Sequence, residues 1–442
     1  MFKNYLLLSL KVLKRKPFYT FVSLFGISFT LMILMLLTSL FDATLGANQP
    51  QTERDRMVIL PTLERTRTET DTIITIDTIA MNDGTMRYDT TENYEDDITS
   101  TSNGPMSYKF ALEQLGNLEN AAATAIVSTS NHVDGYLNGR KISFDVYYAN
   151  AGFWDVFDYQ YIHGDRFYEE DVTQANKVAI ITDKASIEYF GVADVSIIGK
   201  EMELGSERFR VRGIVKRPLT DSPYLAGSVY LPVTTLDNRA LSSEEVYGGF
   251  MTAFLAHTPA GRKNLQDEIN LVAENFQLPA HSDYDRVELF NGTFFDAYAQ
   301  ALLQERDAKK AKRMLFIPVI ILLFLFVALP LLNLVNLNIG RVHERKAEIG
   351  VRKAFGANGS DILAQFVFEN LVLTFIGGII GMFLAMGLIS YVNQHDLLGI
   401  TRLSYSPQVF LYFLIIILIF GFLSGILPAY RMSKTNVANS LR

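Results

Sequence analysis

The sequence predicts a membrane protein: four transmembrane α-helices, with a large α+β extracytoplasmic domain inserted between helices 1 and 2. Three observations carry this. Four runs, Phe18–Phe41, Met314–Gly340, Asn370–His395 and Leu403–Tyr430, contain no Asp, Glu, Lys or Arg, and each is 24 residues or longer. A helix crossing a hydrocarbon core of roughly 30 Å needs about 20 apolar residues. The charges are also partitioned. Residues 42–313 hold 42 acidic and 26 basic side chains, whereas the remainder of the 442-residue chain holds 5 and 14. Finally, residues 42–313 alternate short strand and helix patterns over a length sufficient for a core of its own.

The predicted order is an N-terminal flank over 1–17, a first span over 18–41, the outer domain over 42–313 and a second span over 314–340. A coupling loop and helix follow over 341–365. A third span then covers 366–393, a short outer loop 394–403, a fourth span 404–430 and a tail 431–442. The first run exceeds the 7–15 residues of a signal-peptide core and no A-x-A site follows, so it reads as an uncleaved anchor.

Orientation follows from the basic residues. The N-terminal flank carries Lys3, Lys11, Lys14, Arg15 and Lys16. The loop after the second span carries Arg341, Arg345, Lys346, Arg352 and Lys353, and the tail carries Arg431, Lys434 and Arg442. Four spans put all three segments on one side, which the positive-inside rule makes cytoplasmic, with both termini there. Lys309, Lys310, Lys312 and Arg313 run against this rule on the outer side, where their stems allow the charged heads to snorkel to headgroups.

Within the outer domain, residues 50–105 are rich in Thr, Asp, Glu and Asn and read as edge strands and loops. Met106–Leu118 reads as a helix with Tyr108, Leu112 and Leu115 on one face. Lys177–Thr182 is a buried strand, and Asp183 caps a helix ending at Phe190-Gly191. Gly205-Ser206 joins a hairpin. Thr258–Gln277 is an amphipathic helix, and Phe294–Arg313 is another that continues into the second span. Two lobes are expected.

Several chemistries are excluded. There is no cysteine, which removes disulfides, thiol nucleophiles and Cys-based metal sites. The six histidines do not pair at i, i+4, so no metal site is expected. No G-x-S-x-G elbow occurs, and Gly199-Lys200 is followed by Glu201 rather than Ser or Thr, so no Walker A loop exists. The acidic outer domain argues against nucleic acid. The spans lack the ionisable lining of an ion-coupled carrier. Gly377–Gly381 and Gly421–Gly425 are G-x-x-x-G patterns, suited equally to packing within the chain and to a dimer contact. Pro330 is expected to kink the second span.

Residues 341–369 read as helix, turn, helix, broken at Gly356–Gly359, with Ser360 capping the second helix. Ala347, Val351, Ala354 and Phe355 share one face, with charges around it. Such a helix fits a groove on a soluble partner or the lipid headgroup layer.

The stretch from Arg345 through Glu348-Ile349-Gly350 and Arg352-Lys353-Ala354-Phe355-Gly356 to Ala357 resembles the signature of MacB/FtsX-type permeases of ABC transporters. Leu427-Pro428-Ala429-Tyr430-Arg431 is similar to that family's terminal motif, and Tyr147–Arg166 with Phe167 resembles its periplasmic core domain. The resemblance implies a dimeric permease, made with an identical or a different second copy, in the inner membrane. It implies a separate cytoplasmic ABC ATPase that binds ATP and Mg, with no cofactor on this chain and no enzyme activity of its own. Arg345, Glu348, Ile349, Gly350, Arg352, Lys353, Ala354, Phe355 and Gly356 would form the ATPase-coupling element. A MacB-like permease would export peptides, drugs or lipidic cargo by mechanotransmission, with a periplasmic adaptor and an outer-membrane component. The alternative it implies is an FtsX-like relay that regulates cell-wall hydrolases or envelope-stress signalling without transport.

Overall fold

The computed structural model describes residues 17–80, 86–137, 139–218, 225, 227–279, 282–305, 307–322, 351 and 359–395, with isolated positions between 324 and 422. Two compact units are distinguished: Ala47–Lys312, and Met1–Gly46 together with Arg313–Arg442.

The outer unit contains thirteen described strands. They are β1 (Met57–Leu60), β2 (Leu63–Ala80), β3 (Met86–Gly104), β4 (Ala121–Ser128), β5 (Asn131–Leu137), β6 (Arg140–Ala149), β7 (Tyr161–Gly164), β8 (Val178–Thr182), β9 (Glu201–Leu204), β10 (Glu207–Val215), β11 (Val229–Pro232), β12 (Phe250–Ala256) and β13 (Arg286–Leu289). Ten form one mixed sheet in the order β1-β12-β4-β6-β11-β8-β10-β9-β5, with β7 on β10. β5 also pairs with β6, so six of these strands return on themselves.

Both faces of this sheet are covered, which explains its continuous apolar runs. Ala179 and Ile181 of β8 and Val229 and Leu231 of β11 point into one core with Phe144, Met202 and Phe209. Their alternates Ile180 and Tyr230 point into the other, with Met57, Phe110, Phe153, Trp154 and Phe254. The period of two in a strand therefore divides one segment between two cores.

Helices close these cores. The first membrane helix is α1 (Pro17–Leu45), and α2 is Tyr108–Leu115. The face α2 buries is Phe110, Ala111 and Leu115, while Leu112 is exposed, which corrects the face read from the sequence. Tyr108 packs at the rim, its ring 5.3 Å from that of Phe250. Helix α3 (Asp183–Phe190) is capped by Thr182, whose hydroxyl accepts from the Ala185 amide at 3.2 Å, so the cap lies one residue earlier than predicted. Asp183 instead opens the first turn, where its charge suits the helix dipole. Helix α4 spans Arg262–Asn275 and buries Leu265, Ile269 and Ala273.

Two sequence readings change more. Helix α5 (Phe294–Leu303) does not run on into the membrane. Gln304 turns left-handed at φ 51°, and a separate helix α6 covers 308–322. Asp307 accepts from the amides of Lys309 (2.8 Å) and Lys310 (3.2 Å), giving α6 its own start. A left-handed residue ends one helix and a side-chain N-cap starts the next, and together they outweigh the unbroken apolar pattern.

Residues 50–105 are not mostly loop. β2 and β3 form an antiparallel ribbon 18 register pairs long, about 60 Å at roughly 3.3 Å per residue. β13 joins its base to make a three-stranded sheet. Arg65 lies between the Tyr247 and Tyr284 rings at 3.7 and 4.5 Å, and Asp285 accepts from the Thr68 amide at 2.8 Å. Within this clamp the register shifts between Arg67 and Thr68, a bulge close to the end of the supported base. Ile74 and Ile76, further out, are exposed.

Candidate functional site

The site read from the sequence is the membrane unit, and it is built on α1 and α7 (Gly359–Gln394). Both are long enough and apolar enough to cross a bilayer, over Thr20–Ala43 and Val367–Gln394. α7 starts at Gly359, ahead of the predicted cap Ser360.

Each helix has one buried stripe at four-residue spacing, the period that puts side chains on one face. On α1 the buried residues are Ser23, Ile27, Ser28, Leu34, Met35, Ser39 and Ala43. On α7 the stripe is Glu369, Leu373, Gly377, Gly381, Ala385 and Ile389. The opposite face of α1 carries Phe18, Phe21, Phe25 and Phe29, all exposed, with neighbouring rings stacked at 6.2 and 5.9 Å. Large rings outward and small residues inward is the pattern of a membrane helix packed on one side.

Gly377 and Gly381 set the approach of the two helices. A β-carbon at Gly377 would lie 2.6 Å from Ile27 Cγ2, and one at Gly381 would lie 2.6 Å from the Ser28 carbonyl oxygen. This G-x-x-x-G pair therefore packs within the chain, against α1. Ser23, Ser28, Ser39 and Thr374 are buried, hydroxyls small enough for close helix packing. Glu369 is buried too, and accepts from Gln365 Nε2 at 3.1 Å one turn earlier. Sequence reasoning passed over Glu369 because it stands at the edge of the uncharged run. Its four-residue spacing to Leu373 and Gly377 is the signal that places it on the packed face.

Of residues 341–358 in the predicted coupling loop, Val351 alone is described, helical and exposed, and residues 359–365 form the first turns of α7. Arg345, Glu348, Ile349, Gly350, Arg352, Lys353, Ala354, Phe355 and Gly356 lie outside the described residues, as do Gly421, Gly425, Pro428, Ala429 and Arg431.

Two cavities stand out among the described residues of the outer unit. One of about 280 Å³ is lined by Asn48, Gln49, Thr52, Gln160, Lys216 and Arg217 over the Tyr159 ring. The other, about 590 Å³, lies along α4 and the free edge of β13, between Asn270, Glu274, Phe276 and Arg286. Among the described residues no group of three His, Asp or Glu could hold a metal ion.

Beneath the first cavity, the Tyr159 and Tyr230 hydroxyls lie 2.8 Å from each other and 3.1 and 2.7 Å from the Leu225 carbonyl oxygen, three buried contacts served by two hydroxyl protons. Burial pushes both phenols well above their ordinary range. The Tyr161 hydroxyl and the Trp154 ring nitrogen are buried there without a hydrogen-bond partner among the described residues. No nucleophile stands beside a base in this cluster, so it is core rather than catalytic machinery.

The comparisons decide the family. The profile of the MacB-like periplasmic core domain matches residues 20–271, more than half of the chain, and that of the FtsX-like permease C-terminal domain matches 320–437. The chain belongs to the MacB/FtsX-type family of ABC transporter permeases. The Macrolide export ATP-binding/permease protein MacB of Agrobacterium fabrum is 26% identical over 294 residues, 66% of this chain and 42% of that protein. The Uncharacterized ABC transporter permease YknZ of Bacillus subtilis is 24% identical over 352 residues, 79% of this chain and 83% of that protein. The crystal structure of the periplasmic region of MacB from Actinobacillus actinomycetemcomitans is similar at 17% identity, covering 46% of this chain and 86% of that one, with a TM-score of 0.33. The permease thus spans about two fifths of the length of the MacB proteins it matches.

Proposed function

We propose that this permease couples a separate cytoplasmic ATPase to movement of its outer domain, and that the coupled motion extrudes substrates from the cell envelope. Its cargo class would be peptides, drugs or lipidic molecules, and it would act as a dimer, with ATP and Mg held by the ATPase. On this reading both termini and residues 341–365 are cytoplasmic in the inner membrane. A periplasmic adaptor and an outer-membrane component would complete the path, and this chain itself would catalyse nothing.

The observation that carries the reading is the α1–α7 interface. It is closed by Gly377, Gly381, Ile27 and small hydroxyls, with backbone-to-backbone approach rather than a polar passage. Helices packed that closely transmit displacement as rigid bodies and conduct solute poorly. The family signature over Arg345–Ala357 supplies the contact for the ATPase.

The test is co-purification. Glu348→Ala and Gly356→Val are expected to leave membrane insertion unchanged and to abolish retention of the ATPase subunit, or its stimulation. Full retention and stimulation with both variants would remove the coupling assignment. Because the chain contains no cysteine, single cysteines at positions 243 and 353 test orientation directly with an impermeant thiol reagent: labelling at 243 alone in intact spheroplasts is the expected result.

A further inference from the structure

We propose that one face of the β2–β3 ribbon is a contact surface for the same ribbon of a second copy of this chain, an inference that rests on the permease acting as a dimer.

From Thr68↔Ile98 to Ala80↔Met86 the register runs through thirteen pairs without a shift. Residues directly opposite each other in an antiparallel ribbon lie on the same face, and the faces alternate along it. The register therefore sorts residues that the sequence leaves mixed. One face holds the positions of Ile74 and Ile76, and with them Tyr88, Tyr94, Ile98 and Met86. The other holds three acidic pairs set directly across from each other: Glu69 with Asp97, Asp71 with Glu95 and Asp77 with Asp89. Ile73 and Ile79 fall on the acidic face as well, opposite Asn93 and Arg87. Glu92 and Asp96 stand on the apolar face, each opposite an uncharged residue, Ile74 and Thr70.

Like charges directly opposite each other are destabilising, so the acidic face does not hold the strands together. A two-stranded ribbon is marginal in water unless further structure packs on it. The third strand, β13, supports only residues 63–66 of β2, and Ile74 and Ile76 beyond it are 57% and 60% exposed. The apolar face is therefore the one whose covering would stabilise the ribbon.

Charge and area select what covers it. Face to face, two ribbons bring their apolar sides about 10 Å apart and leave their acidic sides outermost, about 20 Å apart and beyond two Debye lengths of roughly 8 Å. The acidic pairs of the two copies are then largely screened from each other. The unshifted stretch measures on the order of 40 Å by 10 Å, about 400 Å² a copy. A partner arriving from solution needs about 800 Å² on each side. A second copy already joined through other surfaces is present at high effective concentration, so the smaller contact suffices.

The test is photocrosslinking of the purified full-length permease, with benzoylphenylalanine at one position at a time. Irradiation should give covalent dimer from positions 74, 76 and 90, which share the apolar face, with the crosslinks mapping to residues 68–98 of the second copy. Positions 75 and 91, also exposed but on the acidic face, should give none above the dark control. Ile74→Thr/Ile76→Thr keeps strand propensity and should lower the yield from position 90 about tenfold, the factor that about 1.4 kcal/mol makes in a binding constant. Thr75→Asp should leave that yield unchanged. Equal yields from the two faces, no product from the apolar face while native mass spectrometry still shows a dimer, or a product in cells joining position 76 to a different protein in place of the second copy would each overturn the inference. A monomer in native mass spectrometry would instead refute the dimeric reading on which it rests.

Discussion

Replacing Gly381 by alanine tests how the membrane unit is held together. The added methyl would sit 2.6 Å from the Ser28 carbonyl oxygen, where ordinary contact begins at 3.4 Å. That oxygen belongs to the α1 backbone and cannot rotate aside, so the helices must part by nearly an ångström. Overpacking of this kind costs about 1–3 kcal/mol. Alanine also gains about 1 kcal/mol of helix propensity over glycine, which masks part of the loss. Gly387 supplies the control, because among the described residues nothing lies within 4 Å of a β-carbon there. Gly387→Ala therefore reports propensity alone, and the gap between the two variants isolates packing at about 1–3 kcal/mol. Gly377→Ala should fall between them, since its nearest contact is Ile27 Cγ2 at 2.6 Å, which a rotamer change relieves, leaving the tight but longer 3.0 Å contact to Ile27 Cβ. The assay is thermal unfolding of the full chain in micelles, with dimer content followed by light scattering. Gly381→Ala should melt below Gly387→Ala while dimer content stays constant. Equal melting of the two, or a fall in dimer content without a change in melting, would show that this glycine face does not join α7 to its own chain's α1.

Four further outcomes are expected in the outer unit. Tyr161→Phe should leave denaturant stability unchanged or raise it, because it removes a buried hydroxyl that has no hydrogen-bond partner among the described residues, whereas Tyr159→Phe should cost about 1 kcal/mol. Asp171→Ala should cost about 3–5 kcal/mol in the same measurement, since the buried carboxylate receives Arg212 Nη1 at 2.6 Å, the Tyr168 amide at 2.9 Å and Asn176 Nδ2 at 3.1 Å. In an alkaline spectrophotometric titration Tyr159 and Tyr230 should remain protonated past the ordinary tyrosine range until unfolding. Their raised folded-state pKa gives stability that is complete below the unfolded value near pH 10 and is lost as pH climbs above it. Excising residues 70–96 and rejoining the ends with Asn-Gly should preserve the melting temperature of the rest, because the clamp at Arg65, Thr68 and Asp285 lies on the retained side. A large drop would place the ribbon among the supports of the body.

The sequence alone was enough for the family and for two apolar helices long enough to span a bilayer. Runs free of charge, a surplus of carboxylates over 42–313 and a short family signature are local properties of composition and order, and they carried the family. It also held the strand–turn–strand at Gly205 and the helix ending at Gly191, because a glycine at positive φ is a local constraint. The tertiary structure decided what depends on distant partners. β2 and β3 are polar over most of their length, with only a short isoleucine run at Ile73, Ile74, Ile76 and Ile79, so no sustained apolar period betrays a ribbon; its strands are held by each other's backbones and by a clamp formed with residues some 180 to 220 positions away in sequence. The true face of α2 was set by which side chains the second core had room for. The partner of Gly377 and Gly381 could be either α1 or another chain until Ile27 and Ser28 were brought to them, since a spacing states that a helix face is small without stating what approaches it.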